Sequence, residues 1–222
     1  MKTDWQDYLY SSLALILSSL AALTGGYSIA LFVSNTQINA FMAVLCLLIG
    51  LLVFGLTCAA QARVLLKFHP FLPGSYGMSE SVFMYWKLYS VLYYFGSGAL
   101  KPFTVIFLKP LVQIMFGANI GKDIALGGTL VDPHLIRIGT EAIIGEGSIL
   151  AAHAIIPGKI LFGHICIEDR ATVGVNAVVM PGVTIHKGAI LLAGSVAIIN
   201  TVIPENEIWG GNPAQLVKKP IH

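Results

Sequence analysis

Much of this chain counts in sixes. From Ile138 it divides as IGTEAI, IGEGSI, LAAHAI, and from Ile167 as IEDRAT, VGVNAV, VMPGVT, IHKGAI, LLAGSV, AIINTV, IPENEI. The first place of every hexad is Ile, Val, Leu or, once, Ala; the fifth is Ala, Ser, Thr or Val in all but the last. Upstream, the same phase reaches Leu126 and Ile120, with Asp132 as a misfit. A period of six matches neither a helix (3.6) nor a half-buried hairpin strand (2). It is the period of a parallel β-helix, in which each hexad supplies one short strand and one corner. The aliphatic first residue then points inward, and the small fifth residue sits where inward space is tight. No coil buries its core alone, so stability comes from stacking neighbours.

The count breaks once. After LAAHAI comes IPGKI, one residue short, then LFGHIC, with His153 before the break and His164 after it. A lost residue has to be absorbed at a corner, so the spacing predicts a bulge or local bend beside His153. The break marks either an active site or a fault in the repeat.

Composition separates the rest of the chain from the repeats. Of 222 residues, 56% are hydrophobic and 11% charged, against about 25% charged in an ordinary soluble domain. The excess is concentrated in two runs without a charge, residues 11–33 and 40–62. Each is longer than the roughly 20 residues a helix needs to cross a bilayer core. The first is too long for a signal peptide, lacks a small-residue cleavage site and is followed at once by a second span. The connector SNTQIN is uncharged, whereas Lys2, Arg63 and Lys67 flank the runs. Positive flanks stay inside, which places both termini and the repeats in the cytoplasm, anchored to the plasma (inner) membrane. Residues 64–116, rich in Tyr, Trp and Phe with scattered Lys, read as helices lying at the membrane interface; a helical cap on the repeats and a third span are the alternatives. A net charge of +2 and the lack of a basic stripe speak against nucleic acid. Three cysteines give no disulfide framework.

The pattern aliphatic, Gly, two variable, small, variable resembles the hexapeptide-repeat acyltransferases, and WGGNPAQLVKK is similar to the ending of their acetyl-CoA-dependent members. The run from Lys67 through PFLPGSYGMSE to FGANIG further resembles the membrane-bound hexapeptide portion that ends poly-lysine-type nonribosomal peptide synthetases, here standing alone. The resemblance implies a left-handed parallel β-helix over 117–208 with three strands per coil, assembled as a homotrimer. It follows a two-helix anchor at 1–63 and the interfacial segment at 64–116, and a coenzyme-binding tail at 209–222 completes the chain. The left hand comes from the resemblance alone, since parallel crossovers otherwise favour the right.

In such enzymes a histidine beside an irregular coil is the general base, a role that falls here on His153. Deprotonating an acceptor hydroxyl or amine as it attacks a thioester needs a group titrating near working pH, which imidazole does. Glu146, in GEGSILAAH, is placed to orient that imidazole or hold the acceptor; an exposed corner carboxylate is the plain reading. His164 stands across the break. His134 lies in DPHLIRIG, at a place where the resemblance leads one to expect an acidic residue. His186 reads as a solvated corner and His69 as part of a membrane-proximal loop. For acetyl-CoA, the resemblance implies Ala193, Gly194 and Ser195 as small residues that let the pantetheine approach. Asn212, Pro213 and Ala214 would form the turn leaving the coils, and Lys218 and Lys219 would act as charges for the phosphates. Membrane lipid and a membrane-associated or lipid-linked acceptor follow as partners. Two other functions stay open. One is a zinc enzyme of the γ-carbonic anhydrase type, although the close histidine pair it needs is missing, and no metal is expected. The other is a trimeric membrane scaffold, or partner of a peptide synthetase, without turnover.

Overall fold

The structure is a computed structural model that describes residues 4–33 and 40–219. It divides into two compact units: residues 71–83 with 106–219, and residues 4–70 with 84–105.

In the first unit the repeats wind as expected. Short strands stack into three parallel sheets, one for each hexad of a coil. On one face Ile120, Ile138, Ile167, Ile185 and Ile203 sit in register, and the last four are fully buried or nearly so. The second face stacks Leu126, Ile144, Val173 and Leu191, and the third Leu130, Leu150, Val179 and Ala197. Each buried aliphatic side chain in such a ladder contributes about 1.5–3 kcal/mol. The small fifth residues behave as their size demands: Ala142, Ala171, Ala177 and Ala189 are fully buried. One column of corners runs Asp123, Glu141, Arg170, Gly188, Asn206, all at φ between 56° and 66°. Side chains other than Gly and Asn seldom adopt that conformation. Here an N–H to C=O bond to the preceding coil holds each corner from Glu141 onward.

Two irregularities set the first coils apart. Between Leu126 and Ile138 the chain turns early at Gly127 and Gly128, so the inward residue of the third face is Leu130 and not Asp132. The residues left over form a single 3-10 turn at Pro133–Leu135, preceded by Asp132 at φ 59°. The second irregularity replaces the corner bulge expected beside His153. Ile167 pairs with Ile185, 18 positions on, but Ile138 pairs with Ile167, 29 positions on. The eleven extra residues accommodate an antiparallel hairpin, His153–Ile156 with Lys159–Phe162, turning at Pro157 and Gly158 (φ 78°). Its other edge pairs with Gly74–Gly77, giving a three-stranded antiparallel sheet. Residues 64–116 are thus not helical throughout, because they supply this strand.

The coils extend to Ile208–Gly210, where Trp209 stacks on Leu191. The tail Gln215–Lys218 then folds back antiparallel on that last strand.

The second unit is helical: α1 (Trp5–Val33), α2 (Ala40–Phe68) and α3 (Ser81–Leu100), the last contributing from Met84 onward. Two stretches, Trp5–Ser28 and Ala40–Phe68, are long and apolar enough to cross a membrane. Polar contacts join them inside their apolar length. Gln61 donates to the Ser18 hydroxyl (2.8 Å) and the Ala14 carbonyl (3.3 Å), and Ser18 Oγ lies 3.3 Å from Cys58 Sγ. Lys87 of α3 pairs with Asp7 of α1. The connector at 34–39, on which the orientation rests, lies outside the described residues.

Candidate active site

The two irregularities meet. The early turn at Gly127 and Gly128 brings Asp132 to the end of its strand. The hairpin begins in the next coil, and Val131 pairs with Ala151 just before it. Asp132, 3% exposed, and His153, 18% exposed, are then joined by a hydrogen bond between Asp132 Oδ2 and His153 Nδ1. Ala152 donates to the Val131 carbonyl (3.2 Å) and Gly163 to the Ala152 carbonyl (3.0 Å), so backbone bonds fix both ends of the segment that carries the imidazole. The sequence singled out His153 but passed over Asp132, which looked like a defect in a ladder it does not belong to. Glu146 is an exposed corner residue; within the chain His153 takes its carboxylate partner from Asp132 instead.

His134 follows Asp132 by two residues, in the 3-10 turn, its ring 5.0 Å from that of Phe71. Phe71 also packs on Phe162 of the hairpin (5.8 Å), which in turn meets Tyr76 (5.8 Å). Burial among these rings pushes the His134 pKa down to about 4; the Asp132 charge opposes the shift and His164 adds to it. His134 is therefore neutral at physiological pH. It shares a cleft of about 320 Å³ with His164, Asn119, Arg137 and Cys166. His164 therefore lies with His134. His186, on a later corner, pairs with Glu168 at 3.0 Å, both about one-third exposed. His69 stacks on Tyr85 at 3.7 Å within the helical unit. Among the described residues no three of His, Cys, Asp and Glu gather closely enough to hold a metal ion.

The residues expected to hold the coenzyme divide. Ala193 and Gly194 form an exposed corner, and a Cβ at Gly194 would meet nothing within 4 Å. Ser195 is only 2% exposed, and its hydroxyl accepts a bond from the Gly211 N–H (3.1 Å). It fastens the tail to the coils and offers no surface to a ligand. Asn212 and Pro213, joined by a cis peptide, are exposed at the tip of the turn. Ala214 is buried, its N–H donating to the Val196 carbonyl (2.8 Å). Lys218, which ends the returning strand, and Lys219, just beyond it, are exposed.

With the coils and the Asp–His pair established, similarity to known proteins can be set beside them. No family model matches the chain. It is 32% identical over 114 residues to the putative acetyltransferase YvoF of Bacillus subtilis, covering 51% of this chain and 62% of that protein. It is equally 32% identical, over 133 residues, to gamma carbonic anhydrase 2, mitochondrial, of Arabidopsis thaliana, covering 51% of this chain and 48% of that protein. The chain thus spans about half to three-fifths of the length of these relatives. Among solved structures, the polySia-specific acetyltransferase NeuO is similar at 27% identity and a TM-score of 0.40, over 45% of this chain and 50% of that one. The coils are of the hexapeptide-repeat kind. Relatives named for acetyl transfer and for carbonic anhydrase match about half of this chain at the same identity, so the site has to separate them.

Proposed function

We propose that the protein is an acyltransferase anchored in a membrane by α1 and α2. It moves an acetyl group from acetyl-CoA to a hydroxyl or amine of a membrane-associated or lipid-linked acceptor. The observation that carries this reading is the pair between Asp132 and His153. A buried carboxylate on Nδ1 holds the imidazole in one orientation and tautomer, with Nε2 as the proton acceptor. As the acceptor oxygen or nitrogen attacks the thioester carbonyl, its proton passes to Nε2. When the tetrahedral intermediate collapses, the carbon–sulfur bond breaks and the imidazolium returns the proton to the leaving thiolate. Asp132 balances the positive charge between those steps. No covalent enzyme intermediate is required. Glu146, exposed on its corner, is assigned to the acceptor.

For the donor, the open corner at Ala193 and Gly194 gives the pantetheine a path along the last coils. The exposed turn at Asn212 and Pro213 flanks it, and Lys218 and Lys219 supply charge for the phosphates. A left-handed coil assembled as a trimer fits this reading, with Ile143, Ile149, Val175 and Leu192 as the exposed apolar residues a neighbouring copy would cover. Cytoplasmic coils would meet cytosolic acetyl-CoA. The narrower kinship with the end of a peptide synthetase belongs to the same proposal. The carbonic anhydrase reading has His134 and His164 in one cleft in its favour. Among the described residues, however, no three of His, Cys, Asp and Glu are grouped as a catalytic zinc site requires.

The test is incubation of the full-length protein and membrane extract with labelled acetyl-CoA, followed by identification of the labelled product, alongside metal analysis of the purified protein. Label transferred to a lipid-phase product supports the proposal. Stoichiometric zinc with carbon dioxide hydration and no transfer would replace it.

A further inference from the structure

The cleft beside the Asp–His pair carries chemistry that the transfer step does not use. Arg137 projects outward from the strand Ile136–Ile138, whose two isoleucines are buried. In register with it, on the strands to either side, are Asn119 and Cys166. Neighbouring strands lie about 4.8 Å apart, so these side chains form one short row across the sheet. His134 and His164 complete the wall, and the volume of about 320 Å³ is at the lower end of what small-molecule sites occupy.

The donors in this wall outnumber the acceptors. Arg137 is a permanent cation with a planar fork of N–H groups, suited to two oxygens of one group. None of the ion pairs among the described residues uses it. The two carboxylates nearest the cleft are already engaged. Asp132 pairs with His153, while Glu168 accepts the Lys187 N–H (3.1 Å) and faces His186. Asn119 adds amide donors. His164, exposed at the rim, adds a ring N–H, and His134 contributes an uncharged wall.

We propose that the cleft formed by Asn119, His134, Arg137, His164 and Cys166 binds an oxyanion, a phosphate or carboxylate, carried by the acceptor. This rests on the acyl-transfer reading for the word acceptor, but not for the anion site itself. It narrows the substrate class to acceptors that present a hydroxyl or amine together with an acidic group, as a phosphorylated sugar, a lipid phosphate or an amino acid does.

Thermal unfolding of the full-length protein in dodecyl maltoside, titrated with inorganic phosphate and separately with succinate, tests the site without requiring activity. The expected result is a saturable rise in Tm that Arg137→Gln abolishes and His164→Gln weakens at least several-fold in apparent Kd. Dodecyl phosphate in the micelle gives the lipid-borne arm. Tighter binding there than for inorganic phosphate assigns the anion to a lipid, weaker binding to a soluble acceptor, and either supports the site. No rise with any probe would overturn the proposal. So would a rise that survives Arg137→Gln but vanishes when Lys218 and Lys219 are both changed to Gln, because the anion would then sit on the tail. Coenzyme A in the same assay separates the two readings. A coenzyme A shift without an anion effect sinks only the cleft. An anion effect without a coenzyme A shift leaves the cleft standing and removes the acyl-transfer reading.

Discussion

The coils on either side of the hairpin are built from the same hexads and do different work. After it the faces advance in strict sixes from Ile167 to Trp209, and from Ile185 onward each inward residue stacks on the one 18 positions earlier. Before it, between Leu126 and Ile144, the steps are uneven, a 3-10 turn intrudes, and Asp132 and His134 are carried out of the ladder. The regular half is a stack whose stability is distributed over many equal contacts. The irregular half concentrates buried polar groups at one place. The buried polar pair sits where the repeat gives up its period, because an inward position admits little but Ile, Val, Leu or Ala. The regular half, in exchange, holds the stack together without needing any one special residue.

That comparison can be broken first in the regular half. Val179 is fully buried in its ladder, so Val179→Asp places an unpaired charge in the coil interior at a cost of several kcal/mol. Loss of the folded coils by circular dichroism, and of any oligomer in detergent, is expected; a folded variant would mean the ladder is not what holds the coils. The next largest effect belongs to the irregular half and falls on rate. His153→Ala is expected to lower turnover roughly 10²- to 10⁴-fold with the coils still folded and coenzyme binding retained. His153→Asn preserves a corner hydrogen bond but takes no proton, so near-normal activity in that variant would make His153 a packing residue. Asp132→Asn should fall in the same direction, since the imidazole loses both its orientation and its counter-charge.

A smaller effect concerns pH and stability. With its pKa pushed down to about 4 in the fold, His134 is neutral where the unfolded chain, near 6.5, already binds a proton. The unfolded state then gains protons first, so this group makes stability fall as the pH drops from about 6.5 to about 4, by up to ~3 kcal/mol. Above that window it contributes no slope. Unfolding midpoints of His134→Gln should decline less steeply over the same range; an unchanged slope would remove His134 as the cause. The smallest effect closes the series. His186→Ala, at an exposed pair with Glu168 in the regular half, is expected to change stability by no more than about 1 kcal/mol and turnover not at all.

The hexads made the coils legible, and their aliphatic first places are the buried ladders. The hairpin was not legible because of arithmetic: an insertion of eleven residues, one short of two hexads, looks like the loss of one. Counting in sixes located the break but mistook an excursion for a deficit. Asp132 was read in the wrong column, since nothing in the sequence marks the early turn at Gly127 and Gly128 as a shortened corner. Its partner lies 21 positions away, beyond any local pattern. Gly74–Gly77, four residues with two glycines, has no alternation that would announce a strand. Ser195 matched the small residues expected along a coenzyme path, yet in the fold its hydroxyl faces the tail. Small size reports tight space without saying what fills it. His153 was found because histidine stands out beside a break, whatever form the break takes.

The strand Gly74–Gly77 also affects how the molecule reaches its folded state. Coils wind from contacts 18 residues apart and can form in the order of synthesis, each on the one before. The three-stranded sheet instead joins positions 82 to 88 apart, a far longer loop to close and one of the most non-local pairings in its unit. Early coils can therefore be wound while the hairpin still lacks its third strand. Residues made before any coil existed have to wait, unpaired, for the hairpin. The segment that carries His153 is thus expected to mature late, so that chains with well-formed coils precede chains with a complete sheet during refolding.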